Sequence, residues 1–561
     1  MSARQSNLSL GIYGYDVVVA TTQASLNVTL KEYLSGGEPA ESVICYVADQ
    51  NGNPTPYDYE TLKTTSGADP FAVPDGADPA TSPDLQKLFA ARFMAGFRAR
   101  LGLPPGYAPD QIPDIVTLGA DTSTVTYNLM CSEFVVVQYT PASGYSPARW
   151  TSTSQVEGEA WLFSSRVNLS LTPTSDFGSL PPAVQAQIKN VGGGAFSVQQ
   201  LLFDLDSAAL ESLPTISGVD PGSNAFAVLQ KDFVGAYFAA MKTRNSPVLC
   251  CAVTQSTAPT STLTLTDLNF WSSPFLGSNG QPVLSPTATQ QSLYTLNYLC
   301  AVNGHPLPAP ADLSWNWVEA PEAAQFDGVI AINRDTFVGY LRSQLDAVAQ
   351  KNCFVPTAQV VTSGANAHFN LDMTPSGAPQ VVTPATGPRL LGYSWTDSAS
   401  DEAGLGGDVG KAVIKPTYTL DVEASGTTLT VTQHLSVNVS ASKNLFSNMS
   451  GNAVDRTITD TYTLAVDENG RITAAVQSQP VENSQDLSGQ GSLDIDIFGL
   501  SNDVQPIVDR SRAMAATSLQ DIPLSVFQNF VFPGGKTFMF KDVAFSDNQD
   551  LVAHITYANP A

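Results

Sequence analysis

At 561 residues the chain exceeds the size at which one hydrophobic core usually stops growing, so two or more domains are expected. Its formal charge of −25, from 26 basic and 51 acidic residues with no Lys/Arg run, disfavours nonspecific nucleic-acid binding and a polybasic route to anionic membranes. Charged residues make up only 14% of the chain, so its surface must be built largely from Ser, Thr, Asn, Gln, Gly and Pro. With abundant Val and Phe, that composition favours strands and turns over long surface helices.

The opening residues MSARQSNLSLG lead into no apolar run ending in a cleavage site, and no apolar segment of about 18 residues occurs anywhere. Neither a classical signal peptide nor a membrane-spanning helix is expected, which leaves a cytoplasmic location or release by a non-classical route. The segment IYGYDVVVA reads as a strand, with Val17, Val18 and Val19 favouring extended backbone. A helix is predicted over about 21–34, where Leu26, Leu30 and Tyr33 recur at i, i+4 and i+7 before Ser35, Gly36 and Gly37 end it. SVICYVAD and the stretch 57–65 read as strands. LQKLFAARFMAGFRARL reads as one helix over about 85–101, capped by Ser82 or Asp84.

A β-rich tract follows from about 115 to 172, with alternations such as Val125, Tyr127 and Leu129. PPAVQAQIKN is a short helix candidate, LLFDLDSAAL a strand with an acidic end, and 224–242 a helix carrying Phe226, Val228, Leu229, Phe233 and Phe238. Val329, Ile330 and Ile332 predict a strand that leads into a helix over 334–349 with Phe337, Leu341, Leu345 and Val348 on one face. From 356 to 500 the chain reads as mostly β, with DENG at Asp467–Gly470 as a hairpin turn. A helix near 503–517 and a final hairpin close it. Two halves are expected, 1–300 and 301–561, with a seam between about 290 and 325.

Residues suited to chemistry are sparse. The four histidines His305, His368, His434 and His554 form no pair at helical spacing, and no metal-binding or nucleophile-elbow motif occurs. No metal site, cofactor or enzymatic activity is expected. The six cysteines form no CxxC and read as free, partly buried thiols, with Cys250 and Cys251 on opposite sides of a strand. Gly192–Gly194 and the glycines of 404–410 read as flexible turns. The pairs Asp204/Asp206 and Asp494/Asp496 each put two acids on one strand face, which could serve a cation site or glycoside hydrolysis if their separation in space suited it, but solvated strand faces are the better reading. Trp315 and Trp317 of SWNW would point the same way from an extended segment, as a carbohydrate platform or as core.

YGYDVVVATTQASLNVTLKEYL resembles the start of the clostridial P47 and OrfX proteins, which are encoded beside botulinum neurotoxins and have relatives in insect-active toxin loci. The resemblance rests on Tyr13–Val17, on Asn27, Leu30, Lys31, Tyr33 and Leu34, and on ADPFAVPDG, LLFDLDSA, DGVIAINRDTFVGYL and NFVFPGGKTFMFKDVAF. It implies an elongated α+β, TULIP-like architecture, in which long amphipathic helices are wrapped by strongly curved antiparallel sheets and the space between can hold lipid. On that reading an apolar groove lined by Leu26, Leu30, Tyr33, Phe337 and Leu341 would take a lipid or other apolar ligand, and a toxin-complex or other protein would be a partner. A scaffold with filled tubes is the alternative expectation; a carbohydrate-active β protein ranks third.

Overall fold

The computed structural model describes residues 2–35, 40–108, 111–119, 123–174, 177–180, 182–192, 197–212, 222, 224–243, 248–254, 263–363, 366–404, 410–443, 447–485, 505, 507–509, 514, 517, 530–532 and 536–558. It is mostly β, and every strand pairing is antiparallel. The helices are α1 (Gln23–Ser35), α2 (Tyr59–Ser66), α3 (Pro83–Ala90), α4 (Pro182–Gly192), α5 (Asn224–Thr243), α6 (Ala288–Ser292) and α7 (Arg334–Asn352). The expected α+β architecture of long amphipathic helices wrapped by curved sheets is therefore corrected: sheets dominate the chain, and several expected helical residues are strands.

The clearest case is 85–101. α3 stops at Ala90, Arg92 takes a left-handed φ of 59°, and Phe93–Leu101 is a strand. Phe93, Ala95, Phe97, Ala99 and Leu101 are all buried, a period of two that helical propensity masked. The reverse error falls at 57–65. Asp58 accepts from the Thr61 N–H and caps α2, while Gly67 ends it in the left-handed conformation.

The central seven-stranded sheet runs Leu265–Ser273, Thr295–Val302, Val17–Thr22, Gly328–Ile332, Leu551–Ala558 and Thr537–Phe540, with Ala544–Phe545 paired to Leu551–Ala558 off that path. It takes strands from both 1–300 and 301–561. Its three middle strands are buried along their whole length because both faces are covered. Val17, Val19, Tyr298 and Ile330 face the main core; Val18, Ala20, Leu299 and Val329 face a second cluster with Tyr13, Tyr15, Trp315 and Trp317. Gly328 lies against the Ala20 carbonyl, where a Cβ would collide with it.

A second seven-stranded sheet runs Gln380–Val382, Arg389–Thr396, Gly410–Ser425, Thr428–Lys443, Ser447–Val466 and Ile472–Glu482, with Ala399–Ala403 off its path. Thr428–Lys443 alternates half-buried and buried residues over all its positions, so one face closes on the core. The DENG turn joins its last two strands: Asp467 accepts from the Asn469 and Arg471 N–H groups, and Gly470 has φ 68°. A six-stranded sheet, a five-stranded sheet and the hairpin Phe354–Ser363/Asn366–Pro375 complete the described architecture. α5 packs against the five- and six-stranded sheets, and α7 against the strands Arg389–Thr396 and Asn366–Pro375.

Candidate functional site

Four of the five residues of the expected apolar groove, Leu26, Leu30, Phe337 and Leu341, lie in one continuous core. Leu26 and Leu30 on α1 and Phe337 and Leu341 on α7 are each no more than 2% exposed. Tyr33 is also in α1, and its side chain lies outside the described residues.

α1 buries polar residues beside its leucines. The Asn27 Oδ1 accepts from the N–H groups of Ile115 (2.7 Å) and Val116 (2.9 Å), and its Nδ2 donates to the Val116 carbonyl (2.8 Å). The Gln23 Oε1 accepts from the Leu118 N–H (2.8 Å). With Gln291, whose Nε2 donates to the Leu118 carbonyl (3.0 Å), three side chains satisfy the free edge of the strand Val116–Leu118, a long-range role that residue spacing does not signal.

Beneath α1 lies a group of buried hydroxyls. Tyr298 sits opposite Val19 in the central sheet, and Tyr557 belongs to Leu551–Ala558. The hydroxyls of Tyr298, Tyr557 and Ser25 make no hydrogen bond of good geometry. Ser25 and Thr29 nevertheless face the Tyr557 phenol, while Cys250 and Thr21 face that of Tyr298. Burial pushes both phenols well above their ordinary range, so they are neutral groups able to donate.

A cavity of about 490 Å³ opens at the N-terminal end of α7, lined in part by Ser9, Asp16, Leu263, His305, Thr336 and Tyr340. Asp16 is its buried centre. Its carboxylate accepts from the Val302 N–H (2.9 Å), His305 Nδ1 (3.0 Å) and the Thr336 hydroxyl. The His305 side chain that reaches Asp16 is itself 57% exposed. Asn333 caps α7 by accepting from the Asp335 N–H (2.8 Å) and also from the Ser9 hydroxyl (2.7 Å). Asp16 and His305 are 289 residues apart, so no local pattern could have joined them.

Among the described residues, no group of three or more His, Cys, Asp or Glu side chains is placed to hold a metal ion. Asp204 lies on the strand Ser197–Ser212; the side chain of Asp206, and Asp494 and Asp496 altogether, fall outside the described residues, as do Gly193, Gly194 and most of 404–410 and 503–517. Trp315 and Trp317 pack edge to face at 5.4 Å inside the second core cluster, which gives them a packing role. Cys250 and Cys251 face different core clusters, and all six cysteines are buried free thiols. Burial pushes the Cys45, Cys251 and Cys353 thiols up to about 12. No helix among the described residues is long and apolar enough to cross a membrane.

No family model and no curated protein matches the chain, so the clostridial resemblance finds no support there. Among solved structures, a crystal structure of lipopolysaccharide binding protein aligns with a TM-score of 0.32 at 10% identity, over 98% of this chain and 99% of that one. A likeness of that size carries no argument about this chain.

Proposed function

We propose that the chain is a non-catalytic binding protein that takes up an amphiphile, a lipid or another apolar molecule with a small polar end, in the core beneath α1. The observation that carries the reading is the trio of unsatisfied hydroxyls on Ser25, Tyr298 and Tyr557, set in apolar surroundings. Leaving a buried polar group without a partner costs about 1–3 kcal/mol. A ligand's polar end would restore those bonds, and its apolar body would gain about 25 cal/mol for each Å² removed from water. Entry requires the side chains around Leu26 and Leu30 to part, because both are closed off from solvent. An accessory role beside a toxin rests on the sequence resemblance alone.

A second reading is favoured by that same closure. Leu26, Leu30, Phe337 and Leu341 fill the core without a ligand, as a protein-binding scaffold would require. Native mass spectrometry followed by denaturing lipid extraction separates the two. A stoichiometric lipid released on unfolding, and reduced in Tyr298→Phe, supports uptake. A mass equal to the bare 59.3 kDa chain after incubation with mixed-lipid vesicles assigns the molecule to the scaffold.

A further inference from the structure

The strand Ile472–Glu482 ends the second seven-stranded sheet, and among the described residues no strand pairs with its outer edge. It runs beside Ser447–Val466 without a register shift, from Val466 opposite Ile472 to Arg456 opposite Glu482. From residue 475 to 482 every position is exposed, on both faces of the sheet. No charged residue lies between Arg471 and Glu482. Four other sheet ends are blunted. Gln380–Val382 is short, Pro54–Tyr57 carries two prolines, Val116–Leu118 is bound by Gln23 and Asn27, and Leu265–Ser273 contains Asp267 and a register shift. A long, regular, uncharged edge is what monomeric β proteins avoid.

The backbone direction of this edge is fixed. The Asn483 N–H donates to the Asp455 carbonyl, and the Arg471 carbonyl accepts from the Asp467 N–H. Odd-numbered residues therefore bond inward, and even-numbered ones point outward. Pro480 agrees, since its missing N–H falls on the outer side, where no bond to Ser447–Val466 is lost. The outward donors are Ile472, Ala474, Val476, Ser478 and Glu482.

We propose that this edge pairs with the same edge of a second copy, extending the sheet across a two-fold axis. Antiparallel self-pairing with Val476 opposite Ser478 and Ala474 opposite Pro480 matches outward N–H groups to outward carbonyls. In that register Glu482 of each copy falls opposite Ile472 of the other and Arg471 opposite Asn483, so no two like charges are paired along the span. For a chain of net charge −25, that span lets two copies meet without like charges in the contact.

Sedimentation equilibrium of the full chain over a range of loading concentrations tests the pairing. The mass should rise with concentration from 59.3 kDa toward twice that value. Val476→Pro removes an outward N–H and no bond to Ser447–Val466, and Val476→Lys adds charge to the seam. Both should remain at the single-chain mass with an unchanged circular dichroism spectrum. A wild-type chain that stays single at every loading overturns the proposal, as does a dimer that survives both substitutions. Hydrogen exchange names the alternative occupant. In a single chain, slow Ala474, Val476 and Ser478 amides assign the edge to another part of the same chain; amides that slow only on adding an extended peptide assign it to a foreign strand.

Discussion

Asp550 shows how one buried carboxylate couples distant segments. It accepts from the Ser6 hydroxyl (2.6 Å), the Leu8 N–H (2.7 Å) and the Arg334 N–H (3.0 Å), so it ties the first residues to the start of α7. Burial raises its carboxyl above the ordinary value, outweighing those three donors. A carboxyl raised on folding favours the protonated folded form, so this contribution is greatest below the unfolded value and is lost as pH rises through the folded one. Urea midpoints measured from about pH 4 to about pH 7 should reveal it. The wild type should lose stability with rising pH relative to Asp550→Asn, and parallel profiles would remove Asp550 as the source. The tyrosines give a sharper contrast. Tyr237 both donates to the Met130 carbonyl (2.9 Å) and accepts from its N–H (3.1 Å), so Tyr237→Phe should cost about 0.5–1.5 kcal/mol or more. Tyr298→Phe removes a hydroxyl without a well-made bond and should be neutral or stabilising in ligand-free protein; equal losses in the two variants would show that Tyr298 is satisfied in solution.

Among the elements, the strand Phe93–Leu101 carries the largest predicted single-residue effect. Phe97 stacks on Phe134 at 6.1 Å and meets Phe233 edge-on at 5.6 Å, joining the five-stranded sheet to α5. Phe97→Ala should lower unfolding free energy by about 3–5 kcal/mol in a denaturant titration. A loss below about 1 kcal/mol would mean that the site collapses around the smaller side chain. The same strand explains where sequence reasoning failed. FMAGFRARL is rich in Ala, Arg, Met and Leu, good helix formers, and only its alternation marked it as sheet. Val17–Val19 and Val329–Ile332 were legible because their β-branched runs agree with their burial on both sides of the central sheet. The helix of 334–349 was legible too, since Phe337, Leu341 and Leu345 share its buried face, and it extends to Asn352. In the candidate site, the buried leucines were readable from spacing. The hydroxyls of Tyr298 and Tyr557 and the Asp16–His305 contact were not, because only tertiary pairing across hundreds of residues creates them.

For the molecule as a whole, composition pointed correctly to a β-rich chain, while the elongated helix-in-sheet picture came from resemblance and did not survive. What composition could not show is how the sheets exchange strands. The central sheet sets Val17–Thr22 between Thr295–Val302 and Gly328–Ile332, and adds Leu551–Ala558 beyond. That order has a consequence in time. On a ribosome the first strand emerges long before either neighbour exists, its valines bare on two sides, and the outer strands of its sheet follow only hundreds of residues later. Such a chain spends about half of its synthesis with the middle strand of its central sheet unpaired, and a nascent-chain chaperone or rapid sequestration of that strand would govern its yield more than the stability of the finished sheet.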